Sequence, residues 1–220
     1  MNSTVIPVIA IDGPSASGKG TVAQLVAEQL GFHYLDSGAL YRIVAFAARK
    51  NNIAWNHAEA LGELAQKLCI EFNQCEIYLA GERITDAVRS EQMSRGASEV
   101  AIHPPVRNAL LDLQRSFRQA PGLVGDGRDI GSVIFPDAQL KIFLTASAET
   151  RAERRYNQLI SKGLNADYNQ ILADLKSRDL RDSQRTSAPL LQTADALLLD
   201  TSNRNIEQAV QFVLDSYQKA

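Results

Sequence analysis

The sequence predicts an α/β fold, a parallel five-stranded sheet flanked by helices. Three observations predict it. Short apolar runs recur along the chain, each bounded by turn-forming residues. Stretches with apolar residues at helical spacing separate those runs. One region, about Ile70 to Thr85, breaks the rhythm with closely spaced strand-like segments. Strands alternating with helices build a parallel sheet through crossover connections, whereas tightly spaced strands pair antiparallel.

The elements follow in order. Val8-Ile9-Ala10-Ile11 is a continuous apolar run ending at Asp12-Gly13, as a strand buried on both faces requires. A Gly-rich turn precedes a helix over Thr21 to Leu30, where Val22, Leu25, Val26 and Leu30 share a face. Phe32 to Leu35 is a second strand and Ala39 to Lys50 a second helix. Ile70-Glu71-Phe72 and Glu76-Ile77-Tyr78-Leu79 predict a small antiparallel sheet, with Ala80-Gly81-Glu82-Arg83 turning the chain towards Ile84. Leu123 to Asp126, Lys141 to Leu144 and Ala196 to Asp200 complete the parallel set. A last helix places Ile206, Ala209, Val210, Val213 and Tyr217 on one face.

Composition sets outer bounds. Of 220 residues, 45% are hydrophobic and 22% charged, which suits a globular chain with a real core and argues against disorder. The formal net charge of −2, with no basic stripe interleaved with aromatics, disfavours a nucleic-acid binder. The stretch Val5 to Ile11 is too short to span a bilayer, and no signal-peptide pattern opens the chain. Cys69 and Cys75 make neither a disulfide scaffold nor a zinc site, so two reduced thiols in a cytoplasmic protein are expected. His33, His57 and His103 lack a carboxylate or cysteine pattern, so none receives a catalytic role.

The strongest chemical signal is Gly13-Pro14-Ser15-Ala16-Ser17-Gly18-Lys19-Gly20-Thr21. It is a G-x-x-x-x-G-K phosphate loop between a predicted strand and a predicted helix, the context the motif needs. Glycines let backbone N–H groups curl round an anion, and the helix N-terminus adds unsatisfied donors. Lys19 can then neutralise the β- and γ-phosphates of a nucleotide. The general motif puts Ser or Thr after the lysine, for magnesium; here that slot is Gly20 and the hydroxyl follows at Thr21. No direct magnesium ligand is therefore assigned. Ser17, Thr21, Asp12 and Asp126 are candidates, with Thr21 or Asp126 acting through water.

Other segments supply acceptor-side chemistry. Asp36-Ser37-Gly38-Ala39-Leu40-Tyr41-Arg42 follows the second strand, at the sheet edge where ligands bind. Arg42, expected in the first helical turn, can pair with a phosphate, while Ser37 equally suits a helix N-cap. Gly125-Asp126-Gly127-Arg128-Asp129-Ile130-Gly131 follows the third strand. Arg128 there suits a phosphate, Asp129 a sugar or base, and Asp126 a hydrated magnesium ion. Arg178, Arg181, Asp182 and Arg185 lie near one helical face, and Arg151-Ala152-Glu153-Arg154-Arg155 is a second arginine-rich segment. By spacing alone both are solvated salt-bridge faces, worth a few tenths of a kcal/mol per pair. Beside a phosphate loop they could instead close over a transferred phosphoryl group, where an arginine is worth about 10³ to 10⁵ in rate.

Together these segments resemble the bacterial cytidylate kinases. The resemblance is carried by Ile11 to Ser15, Gly18 to Thr21, Leu35 to Arg42, Gly125 to Gly131, Arg178-Asp179, Arg181-Asp182 and Ser187 to Leu190, and runs roughly from Pro7 to Gln218. It implies phosphoryl transfer from ATP, with Mg²⁺, to CMP or dCMP. It implies a single P-loop kinase domain: a core (about 1–60, 105–150 and 190–220), a nucleotide-binding insert (about 61–104) and a helical lid with its following helix (about 151–189). Ser37, Arg42 and Arg128 then resemble CMP phosphate or sugar-side contacts, and Asp126 belongs to the same CMP-binding set. Ser98, Arg107 and Asp129 resemble the cytosine-reading set, Arg178 and Asp182 the ribose contacts, and Arg185 a phosphate or closure contact. Arg154 and Arg155 fall in the lid. Lys19, Arg128, Arg178 and Arg185 are the catalytic set it implies, in a cytoplasmic monomer. The rivals are another phosphate-loop kinase acting on UMP or AMP, and a nucleotide-binding switch protein.

Overall fold

The computed structural model describes residues 5–73 and 76–220. Their order is β1 (Val8–Asp12), α1 (Lys19–Leu30), β2 (His33–Asp36), α2 (Ser37–Lys50), α3 (Ala58–Gln66), β3 (Ile70–Asn73), β4 (Glu76–Leu79), β5 (Glu82–Arg83), α4 (Thr85–Val88), α5 (Glu91–Val100), α6 (Pro104–Ser116), β6 (Leu123–Gly127), a π-helical turn (Ile130–Ile134), β7 (Leu140–Thr145), α7 (Ala148–Ser161), α8 (Tyr168–Gln184), β8 (Leu197–Asp200) and α9 (Ile206–Tyr217). The chain forms two compact units, one from the segment up to Leu35 with Phe117–Ala220, the other from Asp36–Ser116.

The first unit holds the five-stranded sheet, in the order β2-β6-β1-β7-β8. Strand β1 pairs parallel with β6 and β7, and β7 parallel with β8. β1 is buried at every position, which explains its unbroken apolar run. Ile9, Ile11, Val26, Ile142, Leu144 and Val213 share one core with α1 and α9. On α9 the expected apolar face narrows: Ala209, Val210 and Val213 are buried, Tyr217 packs edge-to-face on Phe32 at 5.8 Å, and Ile206 is exposed at the helix start. Because β1, β6 and β7 run parallel, their C-terminal ends share one edge, where the phosphate loop begins.

The second unit holds the antiparallel sheet β3-β4-β5. The turn is shorter than expected. Ala80-Gly81, with φ of 49° and 80°, suffices, so β5 occupies Glu82–Arg83 and Ile84 becomes the N-cap of α4. Cys75 lies outside the described residues; Cys69 is an exposed free thiol. Around this sheet, Gly96 of α5 packs so closely on Trp55 that a Cβ would come within 2.6 Å of its ring. Among the described residues no helix is long and apolar enough to cross a membrane.

Candidate active site

The phosphate loop is built by close approach. A Cβ on Gly13 would lie 1.9 Å from the Leu144 carbonyl oxygen, so the chain leaving β1 passes β7 only as glycine. Gly18 caps α1 with φ of 91°, a left-handed conformation that side chains disfavour. Ser15 and Ser17 are buried, and Ser17 Oγ makes no hydrogen bond within the protein. A buried hydroxyl without a partner is costly, and an oxygen-rich ligand in the loop would lift that cost. Thr21 is exposed on α1, which begins at Lys19, two residues earlier than its apolar face implied.

Lys19 points its ammonium at β6, with Nζ 3.8 Å from Asp126 Oδ2. The other oxygen of this buried carboxylate accepts a 2.7 Å hydrogen bond from the Tyr34 hydroxyl. Asp12, named above as a magnesium candidate, is committed elsewhere. Its two oxygens accept from the backbone N–H groups of Ile130 and Gly131, at 2.9 and 2.8 Å. It therefore anchors the π-helical turn that follows Asp129. Burial pushes its carboxyl up to about 7, against the pull of those two N–H groups.

Arg128 links the loop to α8. Its Nε donates to Asp182 Oδ2 at 2.7 Å, its Nη2 to Ser15 Oγ at 2.7 Å, and its Nη1 to its neighbour's carbonyl, Gly127 O, at 3.2 Å. Burial pushes the Asp182 carboxyl up, but the Arg128 charge and hydrogen bond outweigh it and hold Asp182 below the usual carboxylate range. Arg185, the C-cap of α8, places Nη2 3.6 Å from Asp129 Oδ1 and donates from Nε to Ala188 O at 2.6 Å. Leu190 N donates to Asp182 O, so the Ser187 to Leu190 segment wraps the end of α8. Asp182 is thus no solvated rung of a surface ladder. Its partner is 54 residues away, just past the end of the strand that carries Asp126.

On α7 the buried arginine is Arg151, the first of the arginine-rich run. It donates to Ala146 O at 2.9 Å and Ser15 O at 3.0 Å, and grips Asp179 with two nitrogens at 3.2 and 2.6 Å. Arg154 donates to Thr201 O at 2.6 Å and Ser17 O at 3.4 Å, bracing the loop against the turn after β8. Arg155 reaches along its own helix to Gln158.

In the second unit Asp36, not Ser37, caps α2, accepting from Ala39 N at 3.0 Å. Ser37 becomes the first helical residue, buried, and Arg42 falls in the second turn, not the first. Ser98 on α5 and Arg107 on α6 are both buried. Arg107 donates to Ala101 O at 3.3 Å, and its guanidinium sits 5.7 Å from the Tyr41 ring centre. A cation over an aromatic face is held by the ring quadrupole. Tyr41 was visible in the segment before Arg42, but nothing in the spacing tied it to Arg107.

Among the described residues no group of three or more His, Cys, Asp or Glu side chains could hold a metal ion. Magnesium keeps several waters and binds chiefly through nucleotide phosphates. Asp126, Thr21 and the buried Ser17 hydroxyl are all oxygen donors at the loop, so the residues fit a hydrated ion carried by a nucleotide.

Comparison with known proteins adds a second line. A family model described as cytidylate kinase matches residues 9–219. The cytidylate kinase of Polynucleobacter asymbioticus is 60% identical over 217 residues, 99% of either chain. That of Cupriavidus necator is 55% identical over 96% of either chain, and that of Nitrosomonas europaea 51% identical over 100% of this chain and 99% of its own. Among solved structures, a gluconokinase from Sinorhizobium meliloti aligns over 98% of this chain and 93% of its own with a TM-score of 0.50 at 15% identity, a likeness of fold alone. The loop, the Asp126 carboxylate and the Arg128–Asp182 bridge are thus set in a chain matched nearly end to end, and this chain belongs to the cytidylate kinase family.

Proposed function

We propose that the chain transfers the γ-phosphate of Mg-ATP directly to CMP or dCMP, giving ADP and CDP or dCDP. The observation that carries this reading is the Arg128 bridge. A partly buried guanidinium joins the phosphate loop at Ser15 to α8 at Asp182, with Lys19 beside Asp126. Such a frame holds cationic side chains in place at the loop, each beside a carboxylate, and phosphoryl transfer depends on positioning and charge stabilisation more than on covalent chemistry.

In this reading the backbone from Gly13 to Thr21 cradles the ATP phosphates, and Lys19 spans the β- and γ-oxygens. Asp126 and Thr21 would hold the water shell of a magnesium ion bound with ATP, which would neutralise charge on those oxygens. In the first unit Arg128, Arg178 and Arg185 face the phosphates and ribose, Asp182 takes a ribose hydroxyl, and Asp129 takes the base. In the second unit Ser37 and Arg42 bind the CMP phosphate side, while Ser98 and Arg107 read cytosine. An oxygen of the CMP phosphate attacks the γ-phosphorus as the bond to the ADP oxygen breaks. No general base is needed, because a nucleotide phosphate is already largely ionised near neutral pH. Helix α7, which carries Arg154 and Arg155, and the α8 that follows it act as a lid that excludes water. The same reading makes the chain a cytoplasmic monomer that binds nucleotides and neither nucleic acid nor membrane.

An ADP-release assay with Mg-ATP and CMP, dCMP, UMP, AMP or GMP as separate acceptors tests it. Strong turnover with CMP and dCMP alone is expected. Preference for another monophosphate would overturn Ser98, Arg107 and Asp129 as cytosine readers. ATP hydrolysis indifferent to any acceptor would favour a nucleotide switch.

A further inference from the structure

The phosphate loop lacks the hydroxyl that the general motif places after its lysine, and the structure shows a hydroxyl from elsewhere at that spot. A Cβ built on Gly20 would lie 3.5 Å from the Tyr34 hydroxyl and 3.8 and 3.9 Å from the two Asp126 carboxylate oxygens. Tyr34 reaches this place from β2, the strand beside β6 in the sheet, and its ring packs against the core under α1. Its hydroxyl donates to Asp126 Oδ1 at 2.7 Å, while Lys19 Nζ lies 3.8 Å from Oδ2. A phenol donating to a buried carboxylate is a strong, oriented hydrogen bond. The lysine contact, longer than a hydrogen bond, does not by itself fix the carboxylate plane.

We propose that Tyr34 is a positioning residue, supplying from β2 the hydroxyl missing at Gly20 and using it to orient Asp126 toward the cation that accompanies the nucleotide. The proposal rests on the reading of the loop as a Mg-ATP site. A phenol oxygen accepts as well as donates, and beside Asp126 it is placed to meet a water molecule of a hydrated cation. Gly20 is then a matching feature. A serine there would duplicate the hydroxyl that Tyr34 already brings.

The test compares ATP affinity with Mg²⁺ and with EDTA by titration calorimetry, in the absence of any acceptor. The chains are the parent, Tyr34→Phe, Asp126→Asn and the double variant. Tyr34→Phe keeps the ring in the core and removes only the hydroxyl, so the variant should stay folded with its melting temperature lowered by only a few degrees, as for one hydrogen bond lost at a buried carboxylate. The gain in affinity brought by Mg²⁺ should shrink by about tenfold in Tyr34→Phe, the scale of one hydrogen bond to a charged group. In the Asp126→Asn background Tyr34→Phe should change nothing further, as expected if Tyr34 acts through Asp126. Adding Gly20→Ser to Tyr34→Phe should restore part of the gain. An unchanged magnesium gain in Tyr34→Phe would overturn the proposal, as would an equal loss of affinity with and without Mg²⁺, or full additivity with Asp126→Asn. The ratio is read without CMP, so a parent that binds Mg-ATP but fails to phosphorylate CMP would count against the proposed activity and leave this test decided by the ratio.

Discussion

Replacing Asp182 by Asn perturbs the bridge on which the account of the site turns. The residue keeps its shape and loses its charge, leaving the Arg128 guanidinium without the carboxylate at 2.7 Å. The two side chains are 17% and 7% exposed, so solvent replaces little of the lost interaction. Removing one partner from a buried pair costs about 3–5 kcal/mol, against about 0–1 for a surface pair. Arg128 retains its bonds to Ser15 Oγ and Gly127 O, which places the expected loss at the lower end, about 3 kcal/mol or roughly 150-fold in the folding equilibrium. Urea denaturation without nucleotide measures it. The pH dependence supplies an internal check. The folded carboxyl of Asp182 is held below the ordinary value of 3.8, so its contribution is fully present above that value and is lost as the pH falls through the lower folded one. The difference between Asp182→Asn and the parent should therefore be full at neutral pH and close in acid. A difference under about 0.5 kcal/mol at pH 7, the size of an exposed pair, would refute the reasoning, and so would one that persists unchanged in acid.

Other perturbations reach the same site from its backbone. Gly13→Ala would drive a methyl to 1.9 Å from the Leu144 carbonyl, a backbone atom that cannot rotate away; a loss of at least about 3 kcal/mol in stability is expected, read by urea denaturation, with weakened ATP binding by calorimetry, and an unaltered melt would contradict the packing account. Asp12 carries the opposite sign to Asp182. Its carboxyl is raised from 3.8 to about 7 in the folded state, so between those values the folded chain holds a proton that the unfolded chain has released, and stability falls as the pH rises through that window. Asp12→Asn removes that slope, so variant and parent stability curves should converge or cross as the pH rises from 4 to 7 and run parallel above; curves parallel throughout would remove Asp12's burial as the cause.

How much of this was legible depended on how local each signal was. The phosphate loop, β1 and the β3–β4 hairpin are written in contiguous residues: Gly18 and Lys19 in register after an apolar run, and two short strands too close for a crossover. Nearby capping was less legible. Asp36 and Ser37 are both good N-cap residues, and the choice between them rests on which side chain reaches Ala39 N. Long-range pairing was not legible at all. Spacing along α8 suggested a solvated ladder, yet Asp182 is buried against Arg128, and Arg151 spans Ala146, Ser15 and Asp179. Asp12 was one of four magnesium candidates, and nothing local showed that the π-helical turn would donate two N–H groups to its oxygens. Tyr34 sat unremarked in a predicted strand, since only the pairing order of β2 and β6 brings its hydroxyl to Asp126.

The most direct measurement follows the phosphoryl group itself. The chain is incubated with ATP labelled at the γ-phosphorus, Mg²⁺ and CMP, and the products are separated. The account predicts label in the β-phosphate of CDP, in step with ADP, almost none as inorganic phosphate, and loss of this transfer in a folded Lys19→Ala variant. Label appearing as inorganic phosphate at the same rate with or without CMP, or transfer undiminished in Lys19→Ala, would contradict it.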